Sequence, residues 1–153
     1  YIHSFLGTKN DYKAIAAGEG NRSINRFKWD KKDIHKILED KNSSNFYIIS
    51  KLNSLLNIRS KQPAFHPNAT QFTLNLGDEV FGLWRQDKKR KQSIFSIYNV
   101  TSKSVKLSLQ KINLIETEKW IDLISGEALK DIDDDILLKP YQSLWISNYN
   151  SEK

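Results

Sequence analysis

Residues 70–86, TQFTLNLGDEVFGLWRQ, decide the fold of the second half of the chain. Apolar and polar residues alternate on both sides of Gly77-Asp78, as expected for strands whose side chains point alternately to opposite faces of a sheet. A Gly-Asp pair between two such runs is typical of a hairpin turn, although the connection can be longer than two residues. The stretch therefore predicts two antiparallel strands.

Five more strand-like runs follow, separated by short polar or glycine-containing links. They are QSIFSIYNV (92–100), SVKLSLQ (104–110), KWIDLI (119–124), DILLK (135–139) and QSLWIS (142–147). Strands this short and this regularly spaced predict an antiparallel β-sandwich. Two prolines close together, Pro63 and Pro67, end the preceding helical pattern. We therefore expect a β-sandwich domain over residues 66–153.

The first half of the chain follows a different pattern. YIHSF (1–5) alternates and predicts the end of a strand, and DYKAIAA (11–17) predicts a short helix. Asp30 is expected to cap a helix over residues 31–40, and apolar residues at intervals of three and four predict a longer helix from Asn45 to about Ser60. One strand, one long loop and these helices do not close a core alone. Residues 1–65 are therefore expected to be the last strand–helix unit of something larger.

Composition excludes several classes of protein. The 153 residues are 39% hydrophobic and 27% charged, which are ordinary values for a globular chain. No cysteine is present, so disulfides, thiolate nucleophiles and cysteine metal sites are excluded. No apolar run is long enough to cross a membrane, and we expect a cytoplasmic protein. Methionine is absent and residue 1 is a tyrosine, which indicates the tail of a longer protein.

Charge is unevenly placed along the chain. Residues 1–69 carry twelve Lys and Arg against six Asp and Glu, whereas residues 70–153 carry twelve of each. The excess consists mostly of lysines spread along helical stretches, with no aromatic-interleaved RNA-binding signature and no zinc-finger spacing. We interpret it as a solvated surface and expect no nucleic-acid partner and no membrane partner.

Three charged or glycine-rich motifs resemble known sites only superficially. GEGNRS (18–23) lacks the third glycine and the βαβ context of a dinucleotide loop. DIDDDI (131–136) has Ile136 where a calcium loop needs glycine, so a solvated acidic turn is expected. DKKRKQ (87–92) lies between two predicted strands and is interpreted as a charged hairpin end.

The histidines and aromatic residues leave one alternative open. His3, His35 and His66 lack metal-ligand spacing, and no metal site or cofactor is predicted. His3, next to the long loop, is a candidate site-lining residue. Phe81, Trp84 and Tyr98 lie on predicted strands and belong either to the core or to a sugar-binding platform.

The loop GNRSINRFKW (20–29) is the least explained by packing. Arg22 and Arg26 lie four residues apart among small polar residues, with little apolar periodicity around them. A guanidinium presents fixed hydrogen-bond donors and can itself be held by a carboxylate. Packing alone does not account for the two arginines.

Four stretches carry a resemblance to a known family. They are LGTKND (6–11), NRSINRFKW (21–29), LLNIRSKQPAFHPNATQF (55–72) and PYQSLWIS (140–147). Together they resemble the C-terminal end of an alpha-amylase-family enzyme (glycoside hydrolase family 13). The first two resemble most the branch that contains sucrose phosphorylase and the glucosylglycerate and glucosylglycerol phosphorylases.

The resemblance implies a mixed fold. Residues 1–65 would be the last strand–loop–helix unit of a (β/α)8 barrel, and residues 66–153 would be the all-β C-terminal sandwich. Because the loop after the last strand lies at the C-terminal face of such a barrel, residues 6–29 would form part of a sugar pocket.

The resemblance also implies site residues in this loop. Arg26 would pair with an aspartate and hold the far end of a bound glucosyl unit, while Asn25 would fix the loop and Arg22 would order it. Ser23 and Phe27 depart from the sucrose phosphorylase pattern, where aspartate and histidine are usual. The sequence of this motif, which ends in Trp29, is closer to that of the glucosylglycerate-type relatives than to that of sucrose phosphorylase.

The chemistry implied for the parent enzyme is retaining phosphorolysis of an alpha-glucoside such as sucrose or glucosylglycerate, with inorganic phosphate as co-substrate. A retaining enzyme needs a nucleophilic carboxylate and a carboxylic acid, and these residues would come from the missing N-terminal barrel. No catalytic residue is therefore predicted in this segment, and the isolated chain is expected to be inactive. The alternative is a stand-alone, non-catalytic carbohydrate-binding or interaction module.

Overall fold

A computed structural model of the chain describes residues 2–112, 114, 119–131 and 134–148. The chain divides into two compact units, Tyr1–Asn57 (unit 1) and Ile58–Lys153 (unit 2). The domain boundary expected between residues 65 and 66 stays a prediction. The tip of the predicted acidic turn, residues 132 and 133, lies outside the described residues.

Unit 1 is helical. Its elements are α1 (Ile2–Phe5), α2 (Tyr12–Ala16), a 3-10 helix (Asn21–Asn25), α3 (Lys31–Glu39) and the start of α4 (Ser44–Ser60). The three longer helices lie where the sequence predicts them.

Side-chain oxygens start these helices. Asp11 accepts the Ala14 N–H at 3.0 Å at the start of α2. The predicted cap of α3 is confirmed, because Asp30 accepts the Lys32 N–H at 3.3 Å. Each oxygen satisfies a donor that the first helical turn leaves without an intrahelical partner.

The strand expected at YIHSF is wrong, because residues 2–5 form the one-turn helix α1. Its carbonyls are satisfied locally: the Leu6 N–H donates to the Ile2 oxygen at 2.9 Å and the Thr8 N–H donates to the His3 oxygen at 2.8 Å. A strand satisfies its backbone groups only through a neighbouring strand. Within the described part of unit 1 no such strand is present, so the helical turn is the arrangement that leaves fewer groups unpaired.

Gly7 lets the chain pass close to α4. Its φ is +61°, a region that favours glycine, and a Cβ at this position would lie 2.5 Å from Cδ1 of Ile48. Asn45 secures the same approach by donating to the carbonyl of Leu6 at 2.6 Å. The loop that begins at residue 6 is therefore fixed against the first turns of α4.

The described residues of unit 2 form seven strands, one for each predicted run. They are β1 (Thr70–Asn75), β2 (Val80–Gln86), β3 (Ser93–Asn99), β4 (Val105–Ser108), β5 (Trp120–Asp122), β6 (Asp135–Leu138) and β7 (Ser143–Asn148). All pairings are antiparallel, in a five-stranded sheet of order β1-β2-β3-β7-β5 and a two-stranded sheet β4-β6. Short 3-10 helices, Pro63–Phe65 and Leu109–Ile112, precede β1 and follow β4.

One apolar core joins the two sheets. On β4, Val105 and Leu107 are buried while Lys106 between them is exposed, which is the alternation that places one strand face against a core. Twelve buried side chains form one cluster: Leu76, Val80, Phe95, Ile97, Val105, Leu107, Leu109, Ile112, Trp120, Leu138, Leu144 and Ile146. The predicted antiparallel two-layer arrangement is thus confirmed for unit 2.

The hairpin connections agree with the sequence. The four residues 76–79, which include Gly77-Asp78, connect β1 and β2. Gln86 pairs with Ser93, which places DKKRKQ in the connection between β2 and β3. Among the described residues, no helix is both long enough and apolar enough to span a lipid bilayer.

Candidate substrate-binding loop

Glycine and serine shape the turn that carries the two arginines. Gly20 has φ +84° and ψ 159°, a combination that is essentially restricted to glycine. Ser23 then donates its hydroxyl to the Gly20 carbonyl at 2.6 Å, and the Arg26 N–H donates to the Ser23 carbonyl at 2.9 Å. The Asp11 N–H donates to the Ile24 carbonyl at 2.8 Å, which ties this turn to the start of α2.

The predicted site residues are only partly brought together. Arg22 and Asn25 lie within the 3-10 helix and Arg26 follows it directly, and all three are exposed. His3 is half-buried on α1. His3 and Asn25, twenty-two positions apart in sequence, line the same cavity, whereas neither arginine is among its lining residues. The roles expected for the four residues, including a carboxylate partner for Arg26, stay predictions.

This first cavity is polar. Its volume is about 420 Å³, and Ser4, Thr8, Lys9 and Asn10 contribute to its wall beside His3 and Asn25. Hydroxyl and amide groups at such a wall can donate to and accept from sugar hydroxyls, and the Lys9 ammonium can donate to them. The cavity has the hydrogen-bonding character of a polyol-binding site.

A second cavity, of about 540 Å³, shares Thr8, Lys9 and Asn10 with the first and has an aromatic wall. Phe27 and Trp29 contribute to it, with ring centroids 4.9 Å apart and an interplanar angle of 73°. Trp29 donates its indole N–H to the Thr8 hydroxyl at 2.9 Å. Aromatic faces beside a few placed polar groups are typical of pockets for small ligands.

Trp29 and Thr8 are residues whose structural role the sequence did not reveal. Their hydrogen bond joins positions twenty-one residues apart, and no local pattern specifies such a pair. The available signal was the spacing of Phe27 and Trp29, since alternate residues of an extended segment lie on the same side. That spacing places both rings on one wall of the second cavity.

An ion pair between β4 and β6 of unit 2 shifts the pKa of both of its members. Lys106 and Asp135 form an exposed ion pair of 2.6 Å. The hydrogen bond from Lys106 lowers the pKa of the Asp135 carboxyl, and the same contact raises the pKa of Lys106. Among the described residues, no group of three His, Asp or Glu side chains is arranged to hold a metal ion.

Of the aromatic residues left open between core and platform, Trp84 packs against the core of unit 2. Tyr98 accepts the indole N–H of Trp145 at 3.1 Å, and Phe81, which is 46% exposed, stacks on Tyr98. Phe72, on the neighbouring strand β1, is 50% exposed and stacks on Trp84 with centroids 5.1 Å apart.

Comparison with solved structures identifies the class of fold. No family model matches the chain. An alpha-amylase from Anoxybacillus superposes with a TM-score of 0.60 and 20% sequence identity, over 88% of this chain and 27% of that enzyme. At this identity the likeness concerns the fold alone. The chain has the fold found in the C-terminal part of amylase-like enzymes.

Comparison with curated proteins is more specific. The chain is 33% identical to a glucosylglycerate phosphorylase of Allomeiothermus silvanus over 146 residues, and 29% identical to one of Escherichia coli over 147 residues. Each match covers 95% of this chain but only 23% or 24% of the relative, so the chain spans about a quarter of their length. In sequence the chain is similar to the C-terminal part of these phosphorylases, and in fold it resembles the C-terminal domains of amylase-like enzymes.

Proposed function

We propose that the chain is the C-terminal segment of a retaining alpha-glucoside phosphorylase that acts on glucosylglycerate. The observation that carries the proposal is the 33% identity to a glucosylglycerate phosphorylase along 95% of this chain. In this proposal, residues 1–65 complete a (β/α)8 barrel supplied by the rest of the enzyme. The segment shapes the glucosyl pocket, and the nucleophile and the general acid lie outside it.

Trp29 and Phe27 favour glucosylglycerate over sucrose. Phe27 is one of the positions where the loop departs from the sucrose phosphorylase pattern, and Trp29 matches the motif of the glucosylglycerate-type relatives. Both rings contribute to the wall of the second cavity. Because Trp29 is anchored to Thr8 by its indole N–H, its ring is held in one orientation. A fixed aromatic face of this kind supports stacking against the apolar face of a sugar.

The proposed roles divide the reaction between two parts of the enzyme. A carboxylate outside this segment attacks the anomeric carbon and breaks the glycosidic bond, while the general acid protonates the departing glycerate oxygen. Phosphate, instead of water, then attacks the same carbon and releases the carboxylate, which gives glucose 1-phosphate. Arg26 donates to the hydroxyls at the closed end of that unit, and a lysine could not reproduce its planar fork. Asn25 and His3 line the neighbouring polar cavity, and Arg22 orders the turn.

A chimera tests the proposal. This chain replaces the matching segment of the E. coli glucosylglycerate phosphorylase, and the matching segment of the A. silvanus relative serves as the control replacement. We expect phosphorolysis of glucosylglycerate by both chimeras and no activity of the 153-residue chain alone. A chimera that shows a cooperative thermal melt but no turnover, beside an active control chimera, would contradict the proposal.

Arginine variants of that chimera test the assignment of roles. Breaking an arginine–carboxylate pair costs about 3–5 kcal/mol, so Arg26→Ala should lower kcat/KM by about a hundredfold or more. Arg26→Lys should recover little of the loss, and Arg22→Ala should be milder. If Arg26→Ala stays within about threefold of the parent while Arg22→Ala collapses, the glucosyl unit is held by the other arginine.

The exposed ring of Phe72 favours a second candidate function, a non-catalytic carbohydrate-binding module in unit 2. Phe72 is half exposed and rests on Trp84, which is the arrangement of an aromatic platform. Binding of a soluble alpha-glucan to the isolated chain, measured by calorimetry, tests it. Loss of binding in Phe72→Ala but not in Phe81→Ala, on the opposite face of β2, would support this candidate.

A further inference from the structure

Unit 2 contains the largest of the cavities described for the chain, with a volume of about 760 Å³. Its wall is built from residues 61–69, the connection between β2 and β3, and parts of β5 and β7. A volume in this range is typical of sites for small molecules. None of its lining residues belongs to the candidate substrate-binding loop.

Basic side chains dominate the rim of this cavity. Four exposed lysines contribute to it, Lys61, Lys88, Lys89 and Lys91, against one aspartate, Asp87. Four ammonium groups around one concave surface raise the local concentration of small anions. The rim therefore selects for negative charge.

Asp87 fixes the loop that presents three of these lysines. It is 7% exposed, and its carboxylate accepts the Lys89 N–H at 3.0 Å and the Gln92 N–H at 2.7 Å. The Asp87 N–H in turn donates to the Gln92 carbonyl at 3.1 Å. Because this short loop is closed at both ends, the lysine backbones are held in place before any ligand arrives.

The polar groups on the floor of the cavity are matched to one another. Gln92 donates to the side-chain oxygen of Gln62 at 2.6 Å and to the Ser147 hydroxyl at 3.2 Å. Asn148 accepts the Ser93 N–H at 2.6 Å and donates to the Lys91 carbonyl at 3.0 Å. These hydrogen bonds fix the floor of the cavity. The groups placed to bind a ligand are the lysines of the rim.

Two further features complete the surface. His66 accepts the Asn68 N–H at its Nδ1 atom at 3.1 Å, so the neutral ring carries its proton on Nε2, where it can donate to an anion. Pro63, Ala69, Ile121 and Leu123 give the wall an apolar portion. The apolar face of a sugar ring is suited to such a wall, and a phosphate group is suited to the rim.

We propose that this cavity binds a phosphate monoester of a small sugar, with the phosphate held by the lysine rim and the sugar ring against the apolar wall. The proposal rests on unit 2 alone and does not depend on the assignment of unit 1 to a phosphorylase.

Calorimetry on the 153-residue chain tests the ligand class with three probes: glucose 1-phosphate, inorganic phosphate and glucose. We expect saturable binding of glucose 1-phosphate with a Kd of about 1 mM or tighter, weaker binding of inorganic phosphate and none of glucose. The absence of saturable glucose 1-phosphate binding at about 10 mM overturns the proposal. Equal affinity for both phosphates overturns the assignment to sugar phosphates.

Two double variants with the same change in charge test the location. Lys88→Gln with Lys89→Gln removes two rim ammonium groups, whereas Lys103→Gln with Lys139→Gln removes two exposed lysines of unit 2 that do not line the cavity. Charge-assisted hydrogen bonds are strong enough that the first pair should weaken binding by about tenfold or more. The second pair should change it by less than about twofold.

The control pair also excludes a general effect of net charge. Equal weakening by both double variants would mean that the phosphate is attracted by the overall charge of the chain, which overturns the proposal. Retention of the wild-type melting temperature by the rim variant shows that its lost affinity does not come from unfolding.

Discussion

Unit 1 and unit 2 bury their apolar side chains to different extents. Among the described residues of unit 1, two hydrophobic side chains are buried, Leu6 and Ile49. In unit 2, twelve buried side chains form a single cluster. Each buried aliphatic or aromatic side chain contributes about 1.5–3 kcal/mol relative to an exposed one. Unit 2 therefore has the apolar contacts of an independent core, and unit 1 does not.

Polar contacts between distant residues hold unit 1 instead. The Asn45 side chain donates to the Leu6 carbonyl, Trp29 donates to Thr8, and the Asp11 N–H donates to the Ile24 carbonyl. Each such bond contributes about 0.5–1.5 kcal/mol because water competes for the same groups. The difference teaches that a well-defined loop geometry does not require a core, but that its stability depends on bonds that water can replace.

Hydrogen exchange tests whether unit 1 is less stable than unit 2, and it has the largest expected effect. Amides in β3, whose strand is paired on both sides, should open only with the whole of unit 2, while those of residues 6–29 should open locally. We expect exchange at least about a hundredfold slower in β3, measured by mass spectrometry of peptides from the two regions. Equal protection would show that unit 1 is as stable as unit 2.

Two adjacent leucines on β6 test which face of this strand points into the core. Leu138 is fully buried, whereas Leu137 is 65% exposed. Leu138→Ala should lower the free energy of unfolding by about 2–5 kcal/mol, because it removes apolar contacts and leaves a cavity. Leu137→Ala should change it by less than about 0.5 kcal/mol. Urea denaturation of both variants provides the measurement, and similar losses would contradict the assigned inward face of β6.

Two glycines with positive φ allow a comparison across the units. Gly126 in unit 2 has φ +78° and open space around a built Cβ, so Gly126→Ala should cost about 1–2 kcal/mol from backbone strain alone. Gly7 in unit 1 has φ +61°, and its Cβ would also meet Ile48. Gly7→Ala should therefore cost more, and adding Ile48→Ala should reduce that extra cost. Thermal melts that rank the two single variants the other way would show that unit 1 adapts locally.

The smallest expected effect concerns the ion pair of Lys106 and Asp135. The pKa of Asp135 is lowered in the folded state, so its contribution is present above its unfolded value near 3.8 and is lost as pH falls through the folded value. The pKa of Lys106 is raised above 10.5, so its contribution is lost only at strongly alkaline pH. Asp135→Asn should lower the melting temperature slightly at pH 7 and not at pH 2. A difference that persists at pH 2 would point to packing and not to charge.

The sequence was sufficient to predict a strand wherever a run of alternating apolar and polar residues ended at a turn residue. Among the described residues of unit 2, six of the seven strands lie within predicted runs, and β7 extends one residue beyond its run, to Asn148. YIHSF failed because five alternating residues fit one helical turn as well, and the deciding factor is whether a neighbouring strand is available. Local pattern cannot supply that information.

Less of the candidate site than of the fold could be predicted from the sequence. His3 and Asn25 were named as candidate site residues on separate grounds, and both line one cavity, while their roles there stay predictions. The bond between Trp29 and Thr8, and the cavity of unit 2 assembled from four separate segments, depend on contacts between residues far apart in sequence. Such contacts follow from the complete fold and not from spacing along the chain.

The strand order of unit 2 has a consequence for the route by which it folds. The β1–β2 and β2–β3 connections contain four and six residues, whereas β7 pairs with β3 across the forty-four residues between Tyr98 and Ser143. Closing a longer loop costs more chain entropy before any contact compensates for it. We therefore expect the β1–β3 meander to form first and the docking of β7 to limit the folding rate. In kinetic terms, substitutions in β7 should slow folding, and those in β1 should mainly accelerate unfolding if the edge strand joins after the limiting step.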